Sequence, residues 1–322
     1  IIIMLKITNL SKEFPVEKGI FTKSSLTVKA VQEVSFQIEK NEVLGLVGES
    51  GSGKSTLGKT IMKLLNPTKG QIVFDSEDIT DYNSRQMIQI RKKLQMIFQD
   101  PFASLNPRKN IYDTLVEPVK VHGLVNRSNL KDYISDIIND VGLNVDSLSR
   151  YPHEFSGGQR QRIGIARSLV LKPQFIIADE PVSALDVSIQ AQILNLLEKI
   201  RDVYNLTMIF ISHDLSVIEY FSDNVVVLYL GRIMEISPKK KLFSNPLHPY
   251  SKALLSSVPK VKTKNINKIL IKGDIPSSIN PPSGCVFRTR CQHAIHECSK
   301  IIPPLKIIDN NRKIACIRED VW

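Results

Sequence analysis

The chain has 322 residues, 42% of them apolar and 23% charged, the balance of a globular protein with a sizeable core and not of a disordered or fibrous chain. With 15 Gly, 17 Pro and 4 Cys it carries no collagen or secreted-disulfide signature, and no apolar run approaches the ~20 residues that span a bilayer. The formal net charge of +11 sits at one end: residues 1–238 carry 27 basic and 27 acidic side chains, whereas residues 239–322 carry 16 and 5.

In chain order, Ile1, Ile2 and Ile3 before Met4 are too few for a signal-peptide core, so Met4 reads as the initiator and the protein as cytoplasmic. Residues 1–40 read as an antiparallel hairpin with a polar insertion from Val16 to Lys29. Short β-rich runs at Glu42–Val47, Gly70–Phe74, Leu94–Phe98, Phe175–Ala178, Thr207–Ile211 and Val225–Leu230 predict core strands. Helical spacing at Leu57–Leu65, Gly164–Leu171, Ile189–Tyr204 and Leu215–Phe221 alternates with them, which argues for a largely parallel, covered sheet. From Asp100 to about Ser156 the strand signal stops and Pro-jointed helices take over, as in an inserted helical subdomain. After Pro238 the composition turns to Lys, Pro, Asn and Cys, which marks a domain boundary.

The chemistry-bearing motifs fall at strand ends. Gly48-Glu49-Ser50-Gly51-Ser52-Gly53-Lys54-Ser55-Thr56 follows a strand and opens a helix, the context of a phosphate-binding P-loop: glycines let backbone N–H groups turn toward one anion, and the helix N-terminus adds positive potential. Lys54 would bridge the β- and γ-phosphates and Ser55 would ligate Mg²⁺. Phe175–Ala178 ends in Asp179 and Glu180, placed to hold Mg²⁺ and to polarise an attacking water. Gln99 and His213 follow strands toward the same carboxyl-end edge, where ligands of open α/β sheets collect. Ser156-Gly157-Gly158-Gln159 opens a further helix and makes a second anion cradle; with one P-loop in the chain, that cradle would serve the nucleotide of another subunit.

Together these motifs resemble the ATP-binding cassette (ABC) ATPases over residues 4–236: Walker A at 48–56, Q-loop at Gln99, signature at 155–159 with Phe155 for the usual Leu, Walker B at 175–180, D-loop at Ser183-Ala184-Leu185-Asp186 and switch histidine His213. The resemblance implies an α/β P-loop NTPase core with an antiparallel β subdomain and an inserted helical subdomain at about 100–160. It implies domains 1–238 and 239–322, the latter a small Cys-containing extension. It implies ATP and Mg²⁺ as cofactors, with Gly48, Ser50, Gly51, Ser52, Gly53, Lys54, Ser55 and Thr56 at the phosphates, and Ser55, Gln99 and Asp179 at the Mg²⁺. Ser156, Gly157, Gly158, Gln159 and Asp186 would face the ATP of an opposing cassette, and Glu180, His213 and Gln99 would serve hydrolysis. Phe14 would stack on adenine where family members more often carry Tyr, with Phe21 the alternative.

Gln99–Arg108, Arg150–Phe155, Asp179–Gln192 and His248–Pro259 are similar to the oligopeptide/dipeptide/nickel importer branch, and Ile279–Cys291 is most similar to F-type ATP-binding subunits of oligopeptide permeases. That resemblance implies an ATPase powering oligopeptide import by ATP-driven dimer closure, with a dipeptide or nickel importer as the alternative within the branch. A non-transport ABC ATPase is the rival outside it, but such proteins usually carry two cassettes or a long coiled-coil insert, absent here. The implied partners are a D-type ATP-binding subunit forming a heterodimer, two transmembrane permeases and an extracytoplasmic peptide-binding protein. They would hold the chain at the inner face of the membrane, with no role for nucleic acid.

Cys285, Cys291, Cys298 and Cys316 are spaced Cys-x5-Cys-x6-Cys-x17-Cys. Clustered cysteines in a cytoplasmic protein point to metal more than to disulfides, and the surrounding Pro-rich loops need a staple. Without Cys-x2-Cys knuckles, and by likeness to cluster-binding relatives, a [4Fe–4S] centre is favoured over Zn²⁺, which His293 or His296 could also ligate, and over free packed thiols. Either centre with four thiolates carries a formal charge of −2, which Arg288, Arg290 and the basic tail would offset.

Overall fold

The computed structural model describes residues 2–16, 26–100, 105–257, 269, 271–309 and 311–322. The chain divides into two compact units, one of residues 1–39, 43–81 and 212–322, the other of residues 40–42 and 82–211.

In the first unit, β1 (Ile3–Pro15) and β2 (Thr27–Glu39) form the expected antiparallel hairpin. Strand β2 starts at Thr27, so Thr27–Lys29 of the insertion are strand; Phe21 lies outside the described residues. Strand β3 (Val43–Val47) is buried throughout and runs into helix α1 (Lys54–Ile61). The run Gly70–Phe74, read as part of the parallel core, belongs instead to β4 (Lys69–Phe74), which pairs antiparallel with β1 in the order β2-β1-β4-β5, β5 being Glu77–Asp78. Its apolar run Ile72-Val73-Phe74, of which Ile72 and Phe74 are buried, marks a strand but does not specify the partner.

Helix α7 (Leu215–Phe221) leads to β9 (Asn224–Tyr229), which pairs parallel with β3. Strand β10 (Arg232–Pro238) returns antiparallel on β9. Helices α8 (Lys239–Ser244) and α9 (Pro249–Ser256) follow, and the tail then supplies β11 (Lys306–Asp309) and β12 (Arg312–Ile314), with β12 paired antiparallel to β10. The tail is thus part of this unit's core. Leu247, Ile314 and Cys316 form a buried cluster against which Val321 and Trp322 pack. Beside it Glu235, fully buried, accepts from the Leu247 and His248 N–H groups and from Arg312 Nη2 at 3.1 Å.

In the second unit, β6 (Leu94–Ile97), β7 (Phe175–Asp179) and β8 (Thr207–Ile211) are parallel, in that order. Helix α2 (Met87–Lys93) precedes β6; the inserted helices are α3 (Ile111–Val121), α4 (Leu130–Asp140) and α5 (Gly157–Leu169), and α6 (Val187–Tyr204) joins β7 to β8. Helices α3, α4 and α5 pack on one another, and α4 carries Ile134, Ile137 and Ile138 on its buried face, the three-and-four spacing of an amphipathic helix. Tyr204 Oη donates to Asp140 at 2.6 Å, tying α6 to the end of α4.

Candidate nucleotide site and cysteine centre

The first unit carries the P-loop. After β3, Gly48 has φ +154°, and a Cβ there would lie 2.1 Å from the Leu228 carbonyl oxygen. Gly53, at φ +100° immediately before α1, would place a Cβ 2.2 Å from the Ala30 carbonyl oxygen. Both positions therefore need glycine for space as well as for conformation. Lys54 is buried, and its Nζ donates back to the carbonyls of Gly48 at 2.7 Å and Glu49 at 3.0 Å, which folds the side chain over its own loop. Ser52 Oγ is buried with no hydrogen-bond partner among the described residues. Ser55 and Thr56 lie on the first turn of α1.

His213 is exposed; the preceding Ser212 N–H donates to the Leu46 carbonyl at 3.3 Å, which sets His213 at the end of β3 that opens into the loop. Phe14 is half-buried on β1, with Lys12 Nζ 4.9 Å from its ring centroid.

The second unit carries the acidic pair. Asp179 is buried at the tip of β7, and Glu180 follows at φ +46°, a left-handed conformation unusual for a residue with a side chain. The Glu180 N–H donates to the Ile211 carbonyl at 3.0 Å, and its Oε2 accepts from Gln99 Nε2 at 3.1 Å, so two predicted site residues 81 positions apart meet. Ser156 caps α5: its Oγ accepts from the Gln159 N–H while Gln159 Oε1 accepts from the Ser156 N–H, a capping box. A Cβ on Gly158 would fall 2.6 Å from Ile189 of α6, and one on Gly157 would touch Leu185 at 3.5 Å, so the signature glycines allow close packing against the segment that begins at Asp186. Phe155 is buried with the Arg150 guanidinium 4.5 Å from its ring.

Cys285, Cys291, Cys298 and Cys316 line one small cavity of about 20 Å³, with His248, Phe287, His293 and Arg318 around it; His296 is outside. Gly284, at φ +66°, leaves 2.4 Å between a would-be Cβ and the Cys298 carbonyl oxygen, and the Cys285 N–H donates to that same carbonyl at 2.8 Å. This close turn brings the first and third cysteines together. Burial and the neighbouring thiols push Cys285 up to about 11, and burial likewise raises Cys291 and Cys316. Among the described residues no group of three or more His, Cys, Asp or Glu is arranged to hold a single metal ion.

Comparison with known proteins fits this geometry. A family profile described as ABC transporter matches residues 31–183, and one described as oligopeptide/dipeptide transporter, C-terminal region, matches residues 234–298. The oligopeptide transport ATP-binding protein AppF of Bacillus subtilis is 50% identical over 317 residues, covering 97% of this chain and 96% of AppF. The chain belongs to the ABC transporter ATP-binding proteins. A putative peptide import ATP-binding protein of Brucella ovis is 51% identical over 298 residues, covering 92% of this chain and 94% of that protein. Among solved structures, the ADP- and Pi-bound dimer of the ATP-binding cassette MJ0796 is similar at TM-score 0.65 and 26% identity, over 73% of this chain and 99% of that one.

The ABC family assignment makes this chain a transport ATPase, and no helix among its described residues is long and apolar enough to cross a membrane. Sequence motifs miss two functional neighbours of the ABC nucleotide loop. Tyr250 and Arg290 both reach Glu49, the second residue of the P-loop, from the tail. Both lie in tail stretches that the sequence marks by likeness, His248–Pro259 and Ile279–Cys291, but Glu49 is 201 and 241 positions away and nothing local links them to it. The Cys-x5-Cys spacing around Arg290 was the nearest signal.

Proposed function

We propose that this chain is the ATP-hydrolysing subunit that powers oligopeptide import, closing on a D-type cassette and so switching two membrane permeases fed by an extracytoplasmic peptide-binding protein. The observation that carries the reading is the 50% identity to AppF across 97% of the chain, tail included. Its cassette would be residues 1–238, with the helical subdomain at about 100–160, and its tail residues 239–322. The chain would work at the cytoplasmic face, held to the membrane only through these partners.

Within that reading Phe14 would stack on adenine; Gly48, Ser50, Gly51, Ser52, Gly53, Ser55, Thr56 and above all Lys54 would bind the phosphates; Ser55, Gln99 and Asp179 would hold Mg²⁺, which would neutralise phosphate charge. Glu180 polarises the attacking water, and the Gln99 amide already on its carboxylate orients it. His213 contacts the γ-phosphate. Ser156, Gly157, Gly158, Gln159 and Asp186 serve the ATP of the opposing cassette. The curved P-loop with Lys54 folded over it, and the Ser52 hydroxyl, buried with no hydrogen-bond partner among the described residues, support nucleotide binding here.

For the tail we propose a [4Fe–4S] centre on the four cysteines, which would supply a rigid crosslink between the 285–298 loop and Cys316. Supporting this, all four residues line one cavity and three thiols are raised partly by one another, a cost that a cationic centre would reverse.

Reconstitution in proteoliposomes with the permeases, the partner cassette and the binding protein tests the function. Oligopeptides are expected to stimulate ATP hydrolysis and to accumulate inside; stimulation by dipeptides or Ni²⁺ alone would move the assignment to another substrate of the branch. Iron, acid-labile sulfide and zinc assays on anaerobically purified protein test the centre.

A further inference from the structure

The backbone of a P-loop acts by aiming N–H groups at an anion. At Glu49 this chain does otherwise. The Glu49 N–H donates at 3.0 Å to the hydroxyl of Tyr250, a fully buried residue of α9, so it fastens the loop to the tail. The Glu49 carboxylate accepts from Arg290 Nη1 at 2.7 Å, with Arg290 only 9% and Glu49 only 21% exposed.

Each fastener is itself held. Arg290 Nε donates to the Gly273 carbonyl at 3.2 Å, and its guanidinium lies 5.9 Å from the Tyr229 ring. Tyr250, Tyr229 and Phe287 form a three-ring cluster with centroids 4.8 to 5.3 Å apart. Phe287 and Arg290 flank the cavity-lining cysteines Cys285 and Cys291, so the cysteine loop continues through packed side chains into the nucleotide loop.

Charge sharpens the point. A carboxylate at the second P-loop position is a like charge beside any triphosphate, and in a half-buried setting such repulsion is poorly screened. Arg290 is the group that cancels it.

We propose that Arg290 and Tyr250 are positioning residues for ATP: the tail sets the first turn of the P-loop and neutralises Glu49, so nucleotide affinity depends on a folded cysteine loop. The inference rests on the P-loop reading above. Coupling of this kind is reciprocal, so ATP must in turn protect the tail.

The test is equilibrium binding of a fluorescent ATP analogue to the full chain. Arg290→Met is expected to raise Kd about tenfold and to make it more salt-dependent, because the half-buried Glu49 loses the guanidinium that neutralises it. Glu49→Gln alone should stay within about threefold of the parent, and the double variant should return to the Glu49→Gln value. Tyr250→Phe should raise Kd about threefold. Rescue by Glu49→Gln separates charge compensation from mere folding support, which an unrelated loss of structure would not restore. Wild-type affinity in Arg290→Met, or a double variant as weak as Arg290→Met, overturns the proposal while Lys54→Ala, which should abolish binding, keeps the P-loop reading intact. Normal binding in Lys54→Ala would overturn both. Should Arg290→Met not fold, Tyr250→Phe and limited proteolysis of the tail with and without ATP decide: parental Kd and no protection by ATP count against it.

Discussion

Between Val47 and Lys54 the protein builds a site from backbone; between Cys285 and Cys316 it builds one from side chains. The first is local: seven residues, two glycines without room for a Cβ, and a lysine folded back on its own loop. The second is assembled from four positions spread over more than thirty residues and draws its walls from His248 and Phe287. A backbone site can be read as a motif because its geometry is carried by consecutive residues. A side-chain site depends on what else the chain brings beside it, here the buried Glu235 and Arg312 that pin the tail to β10.

The two regions should therefore fail differently. Glu180→Gln should reduce turnover in the assembled transporter by about 10²-fold or more while leaving ATP bound and thermal stability unchanged; parental hydrolysis would remove Glu180 from its role. Arg312→Met should do the opposite. It leaves Glu235 buried with only two backbone N–H partners, and the expected cost is about 3–5 kcal/mol of stability, read by chemical denaturation.

Cys291→Ser should lower the metal content and speed proteolysis of the tail far more than it weakens ATP binding. An unchanged protease pattern would mean that the tail does not depend on its cysteines.

A subtler contrast is set by pH. His248 is fully buried, its Nδ1 accepting from the Tyr250 N–H, and burial holds it down at about 3 against an ordinary 6.5. The unfolded chain thus binds the proton that the folded chain refuses. The stability His248 contributes is complete above pH 6.5 and is lost as pH falls toward 3, roughly 2 kcal/mol between pH 7 and pH 5. Denaturation midpoints across that range, flattened by His248→Asn, would show it. The smallest effect is expected at Phe155→Leu, which restores the residue usual in the family and removes the Arg150 contact, within about 1 kcal/mol.

Much of this was legible in the sequence, for physical reasons that can be named. The strands at 43–47, 94–97, 175–179 and 207–211 are short apolar runs ending in turns, and the helices at 187–204 and 215–221 repeat every three or four residues. Strand β4 shows the limit: its residues announce a strand, while its pairing with β1 is decided by a segment some sixty positions earlier. The tail shows it again. Ile314 and Ala315 look like ordinary loop residues until β12 lies on β10, and the Glu235–Arg312 and Glu49–Arg290 pairs join positions that share no periodicity. Glu180 was legible by type, whereas its left-handed backbone and its Gln99 partner were not.

The hairpin of β11 and β12 has one more consequence. Strand β10 has β9 along one side and β12 along the other, so the hairpin covers what would otherwise be an open row of backbone donors and acceptors beside buried Ile233 and Met234 and half-buried Ile236. Open apolar edges recruit further strands from other molecules. A cassette trimmed at Pro238 would keep every nucleotide motif and still tend to self-associate, because it would lack the hairpin that guards its sheet against aggregation.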